Sequence, residues 1–461
     1  MGIRFYGVLS GLALAVGCVA ACHRAPSVPS PPNVLFVVWD TVRMDRLGIY
    51  GAERDTTPFL NKFAGGGLVF DDCRSVAPST VPSHGSMFTG LWPRDHGANH
   101  KNLWLASEHQ TLAEILAGSG YDTYAFSANP NITAMENFDQ GFDKEEHLWD
   151  TVWRSAAEDD LKEHYQISST GQPLDNQTGI ATRLRAGKLL NQEIKGCGAL
   201  LGRGLGAWLE RDERDPERPW FGFLNYMEAH YPLQPANRFR ERFMSEEDLR
   251  RSYSVDRSWP KIWSHVFGFS PLPAQTLASL DVTYDAAIAE LDDLFEKLMA
   301  DLEARGELEN TVVILTSDHG ENLGEHGLLD HRYSLSEELL RVPLVIWDGR
   351  AAAGVNPGRS SFPAMNIDLF STILEVTGNG VEFDTDLVNL LGESADGGKG
   401  RMRLAEFAND FEIPESIRSS APVGWSGRDF ARRLTSVTRD QYKLVHSESA
   451  AEGTSLFDLE Q

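Results

Sequence analysis

The sequence predicts an α/β protein: a large, mostly parallel mixed sheet sandwiched by helices, followed by a smaller C-terminal α+β subdomain. Three observations predict it. Short apolar runs alternate with helical patterns as far as Gly378; those runs are apolar throughout rather than at alternate positions; and beyond Gly378 the texture changes to a Gly- and charge-rich connection followed by short strand-like pieces. A strand that is apolar at every position is buried on both faces, the condition of a parallel sheet covered by helices on each side. With 461 residues and 41% hydrophobic content, the chain can bury a large core and divide into one large and one small part.

Taken in order, MGIRFYGVLSGLALAVGCVAAC carries Arg4, an uncharged run from Phe5 to Ala21 and small residues before Cys22, the pattern of an export signal over residues 1–22. Val19-Ala20-Ala21-Cys22 resembles a bacterial lipobox, whose cysteine is lipidated and becomes the new N-terminus. The other reading is a single membrane-spanning anchor, for which the run is barely long enough. His23 stands where an aspartate usually retains lipoproteins in the inner membrane. The expectation is an exported lipoprotein of the bacterial cell envelope, at the outer membrane or facing the periplasm, with a lipid anchor as its membrane contact. Residues 23–32, with APSVPSPP, read as a stiff spacer.

The expected strands are NVLFVVW (33–39), YDTYAF (121–126), WFGFLNYM (220–227), TVVILTS (311–317) and VPLVIW (342–347). The best helix runs from Leu277 to Leu302. Leu277, Leu280, Tyr284, Ile288, Leu291, Phe295, Leu298 and Leu302 recur at steps of three and four, an apolar stripe opposite Asp292, Asp293 and Glu296. That stripe is expected in the core, not at a ligand. Two segments read as insertions over a sheet edge: 143–179, polar and acidic, and 237–273, rich in arginine and aromatics. The large domain is expected over 33–378 and the small one over 379–461, where LTSVT and YKLVH look like strands.

Charge and cysteine content restrict the function. With 42 Lys+Arg against 67 Asp+Glu, the net charge of -25 argues against a nucleic-acid partner. An anionic substrate needs a locally basic pocket. Outside the leader only Cys73 and Cys197 remain; they could pair in an oxidising compartment, but two cysteines do not make a thiolate metal site.

Ligands of open α/β sheets gather at the C-terminal ends of strands, and here Asp40-Thr41, Glu228-Ala229-His230 and Asp318-His319-Gly320 each follow an apolar run. A single strand-end aspartate is commonly a turn former. Several such groups on separate strands, beside a hydroxyl at a helix start, form a candidate site. The hydroxyl lies in VAPSTVPSHGSMFTG (76–90), where Thr80 precedes Pro82. Two readings fit Thr80: a helix cap, or a nucleophile at an anion-binding helix N-terminus.

At these residues the sequence resembles the sulfatase family of the alkaline phosphatase superfamily. The parts are NVLFVVWDTVRMDRLGIYG, TPFLNKF, the 76–90 stretch with WPRDHG, TLAEILAGSGYDTYAF, TSDHGENLGEHG, HRYSLSEELLRVPLVIWDG and LFDLEQ. Their order and spacing run from Asn33 to the last residue. The chain departs from the family in one important place. Sulfatases carry Cys-x-Pro-x-Arg, whose cysteine becomes formylglycine, and here Thr80-Val81-Pro82-Ser83-His84 stands there. A Gly-Lys-Trp-His-like segment is also missing, since SANPNIT follows YDTYAF. A threonine nucleophile is what related phosphotransferases and phosphodiesterases use.

The resemblance implies that Asp40, Asp318, His319 and the Thr80 oxygen bind one divalent metal ion; such oxygen ligands with one imidazole suit Mn, Mg, Ca or Zn. It implies that His230 and His331 hold the ester's oxygens or protonate the leaving group, and that Arg332 replaces a family lysine in substrate binding. His84, in the arginine position, either gives a titratable contact or packs on its helix; Glu325 and His326 are expected as supporting or turn residues. The leading functional expectation is a metal-dependent hydrolase of sulfuric or phosphoric esters of a glycan, lipid or small molecule. Thr80 is its nucleophile, and phosphate or phosphonate esters are favoured over sulfates. The alternatives are a phosphoryl transferase and a non-catalytic lipoprotein that binds anionic glycans.

Overall fold

In the computed structural model the residues described are 31–164, 194–212, 214–255, 259–350, 355–380, 387–392, 398–408, 419, 421–423, 432–448 and 453–460. The leader, its cysteines and most of the spacer lie outside them. The strands run in chain order: β1 (Asn33–Trp39), β2 (Leu68–Phe70), β3 (Cys73–Arg74), β4 (Asp122–Ser127), β5 (Lys144–His147), β6 (Trp220–Tyr226), β7 (Thr311–Thr316), β8 (Asn322–Leu323), β9 (Leu329–Asp330), β10 (Leu344–Asp348), β11 (Gly358–Ser360), β12 (Ala364–Met365), β13 (Arg403–Ala408), β14 (Arg433–Arg439), β15 (Tyr442–Ser447) and β16 (Thr454–Asp458). Eight of them form the main sheet in the order β11-β2-β10-β7-β1-β6-β4-β5.

β1 pairs in parallel with β6 on one side and β7 on the other, and β4 continues the parallel array to β5. Every residue of β1, β4, β6 and β7 is buried. Alternate residues feed two cores: Leu35, Val37 and Trp39 pack on one face, and Val34, Phe36 and Val38 on the other. This is the sandwich that runs of unbroken apolarity require.

VPLVIW departs from the parallel expectation, because β10 runs antiparallel to both β7 and β2. An apolar run buried on both faces looks the same in either direction. The 143–179 insertion is also more than a loop: β5 extends the main sheet at its edge and leads into a helix, Thr151–His164. Over 237–273 the chain folds into short helices, Asn237–Arg240, Glu246–Ser254 and Trp259–Val266. Arg240 braces them, with its guanidinium 4.4 Å over the Tyr253 ring and bonded to Ser252.

The long helix is Ala274–Ala304, and Leu280 through Leu302 of its stripe are buried. Its expected polar side is not all solvated. Asp292 is buried and accepts the amides of Phe59 and Leu60 at 2.8 Å each, so it caps the Pro58–Phe63 helix from outside. Beyond the large sheet, β13–β16 form a separate antiparallel sheet that includes LTSVT and YKLVH. Ala405, Phe407 and Leu434 of this sheet pack on Leu335 and Leu340. Cys73 and Cys197 are buried and free. Among the described residues no helix is long and apolar enough to cross a membrane.

Candidate active site

The chain feeds strands to either side of β1, and the carboxyl ends of β1, β4, β6 and β7 therefore converge on one crevice. Asp40 follows β1, its amide donating to Tyr226 O at 2.9 Å. The next residue, Thr41, adopts φ 62°, a left-handed conformation costing on the order of 1–3 kcal/mol in a β-branched residue. Its neighbours hold it there. Tyr284, from the long helix, donates to Thr41 O at 2.6 Å and accepts the Arg43 amide at 2.9 Å, while Ser317 Oγ accepts the Val42 amide at 3.0 Å. The helix stripe read as core thus also aims the Asp40 turn.

Asp318-His319-Gly320 follows β7 by one residue. A Cβ on Gly320 would stand 1.9 Å from Glu338 O, so this turn admits glycine alone. Asp318 Oδ1 accepts the amides of Thr41 at 3.2 Å and His319 at 2.9 Å. His319 Nδ1 lies 2.9 Å from Gly320 O and must donate to it, which leaves Nε2 with a lone pair. Burial, reinforced by His331, pushes His319 down to about 3. That bare nitrogen faces Asp318 Oδ2 at 3.2 Å, two acceptors with no proton between them.

Asp40 shares the predicament. Its Oδ2 accepts from Asn129 Nδ2 at 2.7 Å and from Asn225 Nδ2 at 3.4 Å, whereas Oδ1 is buried without a hydrogen-bond partner, as is Asp318 Oδ2. Burial and then the Asp318 charge push Asp40 up to about 6; burial also raises Asp318. Ligand atoms of Asp40, Asp318 and His319 lie within 4.8 Å of one another. Two dry carboxylate oxygens and an imidazole lone pair aimed together can hold a cation. The set fits a hard or borderline divalent ion, as expected for these residue types.

Thr80 completes this face. Ser79 occupies the N-cap of the Thr80–Thr89 helix, and Thr80 is its first residue. Its hydroxyl caps nothing; it lies 3.4 Å from His319 Nε2. Of the two readings of Thr80, the cap is the one the geometry removes.

Opposite stands a cationic group. His331 Nδ1 is 3.0 Å from Asp330 and 3.5 Å from Glu321. Burial opposes its charge, but Asp330 and then Glu321 outweigh burial and push it up to about 10, while Asp330 falls below the usual carboxylate range. Lys195 Nζ lies 2.6 Å from His230 Nδ1 and also donates to Tyr231 O. Burial lowers Lys195 to about 8, and burial with Lys195 holds His230 neutral, its Nδ1 2.6 Å from both Lys195 Nζ and Tyr231 O. The rings are near neighbours: His230 to His331 5.0 Å, His331 to His319 4.4 Å. Thr80, Asn129, Lys195, His230, His331 and Arg332 line one cavity of about 420 Å³, with Trp263 from the 237–273 segment on its apolar side.

Not every expected residue arrives there. His84, expected either to contact the ester or to pack on its helix, is fully buried, 3.6 Å from Asp318, and is not among the residues lining the cavity. Its Nδ1 donates to Thr80 O at 3.0 Å, its ring packs edge-on to Phe88 and Phe223, and burial lowers its pKa. Glu228 turns away to accept the Gly198 amide at 2.6 Å. Glu325 pairs with Arg43 at 2.6 Å, and His326 sits exposed at φ 57°, as supporting and turn residues do. Lys195 and Asn129 were not singled out from sequence. Asn129 lies in the SANPNIT segment that stands where the Gly-Lys-Trp-His-like residues are missing.

The Sulfatase family model matches residues 32–379. The N-acetylglucosamine-6-O-sulfatase of Bacteroides thetaiotaomicron is 22% identical over 97% of this chain and 84% of its own length. The multifunctional alkaline phosphatase superfamily protein PehA of Trinickia caryophylli is 24% identical over 93% of this chain and 89% of its own. Among solved structures, the phosphonate monoester hydrolase of Agrobacterium radiobacter superposes with a TM-score of 0.66 at 20% identity, covering 93% of this chain and 89% of that one. At that identity the superposition establishes the shared fold.

Proposed function

The chain belongs to the sulfatase family of ester hydrolases, and from that premise we propose that it hydrolyses phosphate or phosphonate esters with Thr80 as nucleophile. One observation carries the reading: the Thr80 hydroxyl lies 3.4 Å from His319 Nε2, beside the cluster of Asp40, Asp318 and His319. A divalent ion held by Asp40, Asp318, His319 and the Thr80 oxygen would lower the hydroxyl's pKa and neutralise charge on the ester.

The chain's own residues supply the rest. Thr80 Oγ attacks phosphorus in line, its proton passing to cavity water, as the bond from phosphorus to the leaving oxygen breaks. His331, which carries a proton, gives it to that oxygen, and neutral His230 lies beside it in the cavity. Lys195 and Arg332 hold the non-bridging oxygens through the transition state. Water then attacks phosphorus, the bond to Thr80 Oγ breaks, and the threonine takes back a proton.

The nucleophile argues for phosphorus over sulfur. A formylglycine hydrate expels sulfate by breaking its own C–O bond, a route closed to threonine. A sulfated Thr80 is cleared only by attack at sulfur, whereas a phosphorylated one is cleared by a second in-line attack at phosphorus. The metal-loaded protein is therefore expected to turn over an aryl phosphodiester or phosphonate ester at least about tenfold faster in kcat/KM than the matching aryl sulfate, a difference of roughly 1.4 kcal/mol in barrier. Faster sulfate turnover sinks this reading.

A further inference from the structure

Asn366 lies between β12 and the Asp368–Val376 helix, fully buried and outside the residues that line the cavity at Thr80. Its neighbours on either side, Met365 and Ile367, pack on Val76 and Ala77 of the loop that leads into the Thr80–Thr89 helix. Its own side chain reaches both that loop and the Asp318 turn. Oδ1 accepts the Val76 amide at 3.2 Å. Nδ2 donates to Ser83 Oγ at 2.8 Å and lies 3.2 Å from Ser75 Oγ and 3.3 Å from Asp318 O. Chemistry fixes the orientation of the amide, since the Val76 N–H can only donate and the Asp318 carbonyl can only accept.

Ser83 relays the contact. Its hydroxyl accepts from Asn366 and donates to Asp318 O at 2.7 Å, which ties the second turn of the Thr80–Thr89 helix to the backbone of the metal cluster. Ser75 closes the other side, donating to Ala77 O at 2.6 Å. Ser75, Ser83, Asn366 and Asp318 are all shut off from solvent, where linked hydrogen bonds are strong and a missing member is costly. The contact of Thr80 Oγ with His319 Nε2, at 3.4 Å, is too long to fix the hydroxyl by itself.

We propose that Asn366 is a positioning residue, whose amide acts with Ser83 to set the register between the helix that carries Thr80 and the turn that carries Asp318 and His319. It acts through Thr80 and reaches the substrate through nothing else. Nucleophilic attack needs the reacting atoms about 3–3.5 Å apart and aligned, and a misplacement of about 1 Å costs about a hundredfold in rate. The Asp318 carboxylate has its own supports, the Thr41 and His319 amides on Oδ1. Metal binding and turnover are therefore separable at Asn366. The proposal rests on the Thr80 reading of the site, and its test separates the two.

The test measures kcat, KM and metal Kd with an aryl phosphodiester for Asn366→Ala, Ser83→Ala and the double variant, with rates expressed per folded, metal-loaded molecule. Each single variant is expected to lower kcat by about thirtyfold or more, while KM and metal Kd stay within about threefold of wild type. The double variant is expected to fall no more than about threefold below the lower single, because both substitutions break one network. A lower melting temperature with kcat within about threefold of wild type in both single variants would mean a structural brace alone and would overturn the proposal. Losses that multiply in the double variant, or a metal Kd that weakens in step with kcat, would overturn it as well. Ser83→Ala removes one oxygen and leaves the Asn366 packing in place, so it decides by the same criteria if Asn366→Ala does not fold. Clamp variants that match an active wild type, beside an inactive Thr80→Ala, overturn the clamp and leave the Thr80 reading standing. A wild type without phosphodiesterase activity, or a fully active Thr80→Ala, overturns both.

Discussion

Thr80→Ala is expected to lower phosphodiester turnover by at least about a thousandfold while the protein keeps its fold and most of its metal, because losing a nucleophile removes the reaction path itself. The fold survives because Ser79, not Thr80, occupies the N-cap, and neither side chain caps the helix. The Thr80 carbonyl that accepts from His84 is untouched by the substitution. Metal persists because Asp40, Asp318 and His319 remain. Thr80→Ser restores the hydroxyl and is expected to recover activity well above Thr80→Ala. Full activity of Thr80→Ala, measured on protein of verified metal content, would make the threonine a bystander.

Asp318→Asn is expected to remove metal and activity together. Asparagine keeps an oxygen for the Thr41 and His319 amides but replaces the anionic Oδ2 that faces His319. Metal affinity should fall by more than about a hundredfold, beyond the range typical of residues that only support a ligand. Stability should move the other way in metal-free protein. Asp40 and Asp318 both have raised pKa values, Asp40 rising from 3.8 to about 6. A raised carboxyl binds its proton more tightly when folded, so its contribution is intact below about pH 4 and is lost as pH rises toward 6. Metal-free wild type should therefore melt lower at pH 7 than at pH 5, and metal-free Asp318→Asn should melt at or above wild type at pH 7. Metal should raise the melting temperature of wild type alone, since ligand binding stabilises by mass action. Equal metal stoichiometry in the two proteins would remove Asp318 from the ligand set.

The fold was legible where chemistry repeats along the chain. NVLFVVW became β1 residue for residue, and the Leu280 to Leu302 stripe is buried as its spacing implies. Direction was not legible, since nothing in VPLVIW distinguishes the antiparallel β10 from its parallel neighbours. Nor was the second use of a helix face: Asp292 reads as solvated until the Pro58–Phe63 helix supplies two bare amides. In the site, the strand-end position of Asp40, Asp318 and His319 was visible because a parallel sheet collects its carboxyl ends. Lys195 was not, because NQEIKGCG carries no local pattern; only the fold brings it within 2.6 Å of His230. Sequence left His84 open between a substrate contact and packing on its helix, and only the fold shows where its ring sits. An imidazole is shorter than a guanidinium and is held here among Phe88, Phe223 and Asp318.

The nucleophilic role of Thr80 is tested most directly by the stereochemistry at phosphorus. An aryl phosphorothioate diester of known configuration, hydrolysed in isotopically labelled water, reports whether one or two in-line displacements occurred. Attack by Thr80 followed by water is two inversions and predicts net retention. Net inversion would mean that water attacks the ester directly, and would contradict a covalent Thr80 intermediate.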